Sequence, residues 1–180
     1  NPSLYERVAL KLFIKALYAE CLPRKLFKKT FIFTAMQRGF KTLLIEFPPI
    51  NDNIYRLIRN IMYFYVDATI NERLAFLKQV WNITEITINI LLKKLYDYNL
   101  ILWYTPYIDI ASHILYRPKN LKYMLKLFSM YKKLGEKIKE VISKIHSDAV
   151  VLIISDHGYN PARRDHSHFG YWSMNVDTSV

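Results

Sequence analysis

Three short apolar runs in this 180-residue chain are separated by stretches of helical periodicity, and that alternation most constrains its fold. The runs are Lys41 to Phe47, Asn99 to Tyr107 and Asp148 to Ser155. Gly39 is a stop signal before the first run, and Pro48 and Pro49 end it. Asp52 then caps a helix carrying Ile54, Leu57, Ile58 and Ile61. Asn71 is a candidate cap for the next helix, with Leu74, Leu77, Val80 and Trp81 on one face. A further helix over Thr84 to Tyr98 keeps Ile86, Ile90, Leu91 and Leu95 in phase. After Pro118, a long stripe runs through Leu121, Met124, Leu125, Phe128, Tyr131, Leu134, Ile138, Val141, Ile142 and Ile145.

Strand, helices, strand, helix, strand implies parallel strands joined by helical crossovers. The expected fold class is therefore α/β, a mainly parallel sheet flanked by helices. With only 4 glycines the chain does not suit a turn-rich all-β fold. Ahead of the first strand, Leu4, Val8, Ala9, Leu12, Phe13, Ala16 and Leu17 read as an amphipathic helix closed by Pro23. Residues 24–29 read as a basic loop or short helix, and Phe31 to Gln37 is ambiguous. The length suits one domain or part of a larger one. The chain opens on Asn1-Pro2-Ser3 without an initiator Met, as a processed or truncated product would.

The formal charge is +11. Such a surface attracts polyanions, whether nucleic acid, acidic membranes or phosphorylated substrates. The lysines are scattered over helix faces and form no compact stripe, and no helix-turn-helix, RNP-type or zinc-finger pattern is present. A nucleic-acid or acidic-surface binding module is thus the alternative, not the favoured reading. The single Cys21 excludes an internal disulfide framework and a cysteine-based zinc site. No apolar run reaches the roughly 18 residues needed to span a bilayer. No signal peptide is visible, so a cytoplasmic location is expected.

Ligands of α/β sheets bind beyond the carboxyl ends of the strands. Two polar clusters fall there. Asp109 and His113 follow the second strand and are four residues apart, which puts them on one face if the segment is helical. Asp156, His157 and Gly158 end the third strand, where an unpaired buried charge is costly and metal coordination would neutralise it. Gly158 lets the backbone turn where side chains crowd. His166 is the first choice for a further ligand, with His168 the alternative on the same side of an extended stretch. His146 lies at the end of the long helix and reads as structural. Two Asp and at least three His make an N/O ligand set suited to zinc, manganese or iron. Two such ions about 4 Å apart clamp a phosphoryl group.

The segment Ile153-Ile154-Ser155-Asp156-His157-Gly158 follows a long helix. Asp109-Ile110-Ala111-Ser112-His113 lies upstream of it, and His166-Ser167-His168-Phe169-Gly170-Tyr171-Trp172 downstream. This ordered set resembles the alkaline phosphatase superfamily, in particular its type I phosphodiesterase and nucleotide pyrophosphatase branch. Met36 to Pro49 resembles that branch's strand entering a proline-rich loop. The resemblance covers about residue 35 to the end and leaves 1–34, read as helical, unassigned. It implies an alkaline phosphatase-like fold and a phosphohydrolase with two divalent ions, zinc first among them. Asp109, His113 and His166 (or His168) would hold one ion, and Asp156 and His157 the other. Arg163 and Arg164 would steer a phosphate-ester or nucleotide substrate. The family's Ser or Thr nucleophile and its first Asp belong upstream of everything aligned here, and Ser3, Thr30 and Thr34 do not sit in the nucleophile's context. The chain is therefore expected to be the C-terminal part of a longer enzyme whose N-terminal part supplies them, or else an inactive relative.

Overall fold

The computed structural model describes residues 24–48, 50, 58, 68–160 and 165–175. The expected helix over 4–17, most of the helix after Asp52, and Cys21, Arg163 and Arg164 lie outside the described residues. The chain divides into two compact units, 1–105 and 106–180.

The first unit begins with the short helix α1 (Arg24–Phe27) and with α2 (Phe31–Gln37), so the ambiguous stretch is helical. The Thr30 hydroxyl accepts from Phe33 N at 3.3 Å and starts α2. Gly39, at φ 82°, ends it. The amides of Gly39 and Phe40 donate back to the carbonyls of Met36 and Ala35, and this doubly bonded helix end needs a left-handed residue at position 39. The chain then extends into β1 (Thr42–Ile45).

A crossover brings β2 (Leu100–Trp103) parallel to β1, with Thr42 opposite Leu100 and Ile45 opposite Trp103. Asn99 sets this register at the entry, its side-chain oxygen accepting from Lys41 N at 2.9 Å. At the exit Tyr104 N donates to Ile45 O at 3.1 Å. Glu46, buried at the end of β1, adopts φ 49°, an uncommon conformation for a residue with a Cβ.

Within the crossover, residues 70–94 form one continuous helix, α3 (Ile70–Lys94), where the sequence suggests two. It starts at Thr69, not Asn71. Thr69 and Glu72 form a reciprocal capping box, each side chain accepting from the other's backbone N–H. Nothing breaks the helix near residue 83, because its polar residues are satisfied in helical geometry. Thr84 Oγ1 donates to Val80 O at 3.0 Å and Thr87 Oγ1 to Thr84 O at 2.9 Å. Phe76, Leu77, Val80, Trp81, Ile88 and Leu91 form its buried stripe. Trp103 Nε1 donates to Thr87 Oγ1 at 3.0 Å, and the hydroxyls of Thr84 and Thr105 meet at 3.1 Å. These bonds tie the helix to the end of β2.

The second unit packs α4 (Tyr107–Leu115) on α5 (Leu121–Ser143). Ile110, Ala111, Ile114 and Leu115 of α4 are buried. So are Leu127, Leu134 and Val141 of α5, seven residues apart. The Asn120 side chain accepts from Tyr123 N at 3.3 Å and starts α5. The apolar stripe of α5 is wider than the face it buries: Leu121, Leu125, Phe128 and Tyr131 are exposed.

The third strand departs from expectation. β3 (Leu152–Ser155) pairs antiparallel with β6 (Tyr171–Met174), Leu152 opposite Met174 and Ser155 opposite Tyr171. Among the described residues the parallel sheet is the β1–β2 pair alone. The chain returns after only a short excursion from Ser155 to Tyr171, and a close return favours an antiparallel neighbour. β3 is exposed along its length. Within the excursion, β4 (Tyr159–Asn160) and β5 (Asp165–His166) form a small antiparallel ribbon. The architecture is mixed α/β, with a parallel pair joined through a helix, as expected, and an antiparallel part that was not.

Candidate metal centre

Helix α4 supplies the first two groups. The chain does become helical after β2, and Asp109 and His113 stand one turn apart on it. Asp109 lies in the first turn, where the helix dipole favours a carboxylate. Its Oδ1 is 3.4 Å from His113 Nε2.

The β4–β5 ribbon brings in the third. His166 Nε2 lies 3.4 Å from the same Asp109 oxygen and 3.2 Å from His113 Nε2. Three donor atoms from two elements thus form a nearly equilateral triangle. A tetrahedral zinc ion with bonds of about 2.0–2.2 Å requires its ligand atoms about 3.3–3.6 Å apart. The triangle fits one face of such a tetrahedron and leaves a fourth position open. The donor chemistry, one carboxylate oxygen and two imidazole nitrogens, fits as well.

Burial disfavours the charged form of Asp109. The hydrogen bond with His113 and the charges of His113, His166 and His157 outweigh it, so the carboxyl is held below its ordinary value. The group is therefore an anion throughout the neutral range, as a metal ligand must be.

His157 stands beside this triangle. Its ring stacks on His166, centroids 3.6 Å apart and planes within 12°. Its Nδ1 is 3.2 Å from the Gly158 carbonyl. A carbonyl only accepts, so Nδ1 is the donor in this contact. Nε2 lies 3.7 Å from Asp156 Oδ1. Asp156 and His157 are thus together, with the His157 ring on the ring of His166.

Several close approaches hold this turn. Ser155 Oγ donates to His157 O at 2.7 Å. Ser167 bridges both ways: its Oγ accepts from Gly158 N at 3.1 Å and its own N donates to Gly158 O at 2.9 Å. A Cβ on Gly158 would meet Ser167 Oγ at 2.7 Å, so close approach explains the glycine there. At Gly170 a Cβ would run into the Ser155 carbonyl and lie 3.0 Å from the Asp156 carbonyl.

Of the sequence candidates in the second unit, Asp109, His113 and His166 come together, His157 stacks on His166, and Asp156 meets its neighbour His157. His168 is exposed and outside the cluster, which separates it from His166. His146 is near Asp148 instead, Nδ1 to Oδ2 at 3.5 Å. Two neighbours were not read from the sequence. Tyr159 packs edge-on to the His113 ring at 5.3 Å, and Tyr116 lies 5.0 Å from Tyr159. Tyr116 follows Asp109 and His113 at helical spacing, and that was the one available signal.

Comparison with protein-family models, with curated proteins and with solved structures finds no match for this chain.

Proposed function

We propose that this chain carries the metal-holding part of a phosphohydrolase of the phosphodiesterase and nucleotide pyrophosphatase type, on an alkaline phosphatase-like fold. The observation that carries the reading is the triangle of Asp109 Oδ1, His113 Nε2 and His166 Nε2, with sides of 3.2–3.4 Å. Three ligands with a fourth position open is the pattern of a catalytic, not a structural, zinc site. Asp156 and His157 are the candidates for a second ion. The His157 ring stacks on that of His166, which sets this pair beside the triangle.

When bound, divalent ions would polarise phosphoryl oxygens and offset their charge. The chain's residues do the rest of what is assigned here. Asp109 stays ionised, and His113 and His166 fix the donor triangle. Asp156 and His157 hold the adjacent position. Arg163 and Arg164, outside the described residues, are assigned to drawing in the anionic substrate. The Ser or Thr nucleophile required by the resemblance belongs to the N-terminal part of the same enzyme.

The test is a zinc titration followed by inorganic phosphate. One tightly bound zinc that requires His113, and phosphate binding that appears only in the zinc-loaded protein, are expected. A zinc-loaded protein with no affinity for phosphate or nucleoside monophosphates would sink the phosphohydrolase reading and leave a bare metal site.

A further inference from the structure

The β4–β5 ribbon has two residue pairs, Tyr159 with His166 and Asn160 with Asp165. So short a ribbon cannot fix a ligand by its own pairing. Yet it places His166 Nε2 within 3.4 Å of two atoms on α4. Something else must set the ribbon against the helix.

Directly across the ribbon from His166 is Tyr159. Its ring meets His113 edge to face, centroids 5.3 Å apart and planes at 88°. It also meets Tyr116 at 5.0 Å, planes at 47°. Asp109, His113 and Tyr116 are spaced by four and then three residues, so they project from one face of α4. Tyr116 sits at the helix end, its N–H donating to Ser112 O at 2.9 Å. The order along the helix face is thus carboxylate, imidazole, phenol. The ribbon answers with His166 on the first two and Tyr159 on the last two.

From this geometry we infer that Tyr159, braced by Tyr116, is the positioning residue of the centre. It orients the His113 imidazole so that Nε2 faces Asp109, and it carries His166 across the ribbon into the same triangle. Tyr159 is not a ligand and acts through His113 and His166. The function lies in the ring's shape, so phenylalanine should serve. The inference rests on the metal reading of the site for its consequence but not for its geometry.

Two readouts separate the two. In the metal-free protein, the ring current of Tyr159 shifts the imidazole C–H resonances of His113. Tyr159→Phe should keep those resonances in place, and Tyr159→Leu should move them toward the values of an unstructured histidine. Zinc affinity, measured by competition with a chromophoric chelator, should fall about 10–100-fold in Tyr159→Leu, as for other groups that orient ligands, and be restored in Tyr159→Phe. Unchanged His113 resonances together with wild-type zinc affinity in Tyr159→Leu would overturn the proposal. If the wild-type protein binds no zinc, the metal reading fails, and the metal-free spectra still decide the role of Tyr159. Should Tyr159→Leu lose its fold by circular dichroism, Tyr116→Leu takes its place. It should displace the same resonances in the same direction by less, and spectra identical to wild type would overturn the bracing role.

Discussion

The two halves of the proposed centre are built differently. Asp109 has a side chain 27% exposed and meets two imidazoles at 3.4 Å. Asp156 has a side chain 77% exposed and meets one imidazole at 3.7 Å. The first position draws on a helix that is buried on its other side, with a ribbon closing over it. The second draws on the end of a strand that is itself exposed. A donor set fixed before the ion arrives binds more tightly than one that must be ordered by it, because the ordering entropy is already spent. The first position should therefore fill first, and the chain's metal affinity should reside there.

The largest expected effect tests that order. His113→Ala or Asp109→Ala removes one of three ligands. The loss in zinc affinity should exceed the factor of about 10–100 seen when only an orienting group is lost. Asp156→Ala should leave the first zinc equivalent nearly unchanged. Chelator competition on the three variants checks both statements. Equal losses in Asp109→Ala and Asp156→Ala would erase the distinction between the positions.

Next in size is stabilisation by the ion. Zinc at about 100 times its dissociation constant should stabilise the second unit by about 2.7 kcal/mol. A shift of that size raises a thermal midpoint by several degrees, visible by calorimetry. In Asp109→Ala the zinc-dependent shift should vanish.

Gly170→Ala probes the weaker position. Its Cβ would run into the Ser155 carbonyl and crowd that of Asp156, both backbone atoms. Overpacking of this kind typically costs about 1–3 kcal/mol. The strand end must shift, so binding of a second zinc should weaken more than binding of the first. Isothermal titration of the variant separates the two equivalents. A uniform loss at both would show that the positions move as one.

How much of this was legible in the sequence follows from the range of each interaction. Asp109 and His113 were readable because four-residue spacing on a helix is a local rule. The parallel β1–β2 pair was readable because a long helical stretch between two apolar runs leaves few other topologies. The start of α3 was missed by two residues, since Thr69 and Glu72 make a better box than Asn71 makes a cap. Its continuity through residue 83 was missed because back-bonded threonines leave no mark on periodicity. The antiparallel partner of β3 was not readable, as Tyr171 to Met174 alternates too weakly to announce a strand. His166 was preferred to His168 from the sequence, but the physical reason lay in the ribbon register, which places His166 opposite Tyr159. Tyr116 and Tyr159 were passed over because aromatic residues carry no spacing rule that separates packing from ligand orientation.

The smallest expected effect concerns acid. Folding holds the Asp109 carboxyl below its ordinary value of about 3.9. A carboxyl whose value is lowered on folding adds stability that is complete above the unfolded value and is lost as pH falls through the folded one. In the metal-free protein, the difference in midpoint between wild type and Asp109→Asn should therefore persist down to about pH 4 and shrink only below it. The neighbouring imidazoles supply part of that lowering, so substituting His113 by Gln should shrink the difference where Asp109 is ionised. Thermal melts of the variants between neutral and strongly acidic pH decide it. A difference that disappeared well above pH 4 would mean that burial, not the histidines, governs Asp109, and the donor triangle would then lose its electrostatic support.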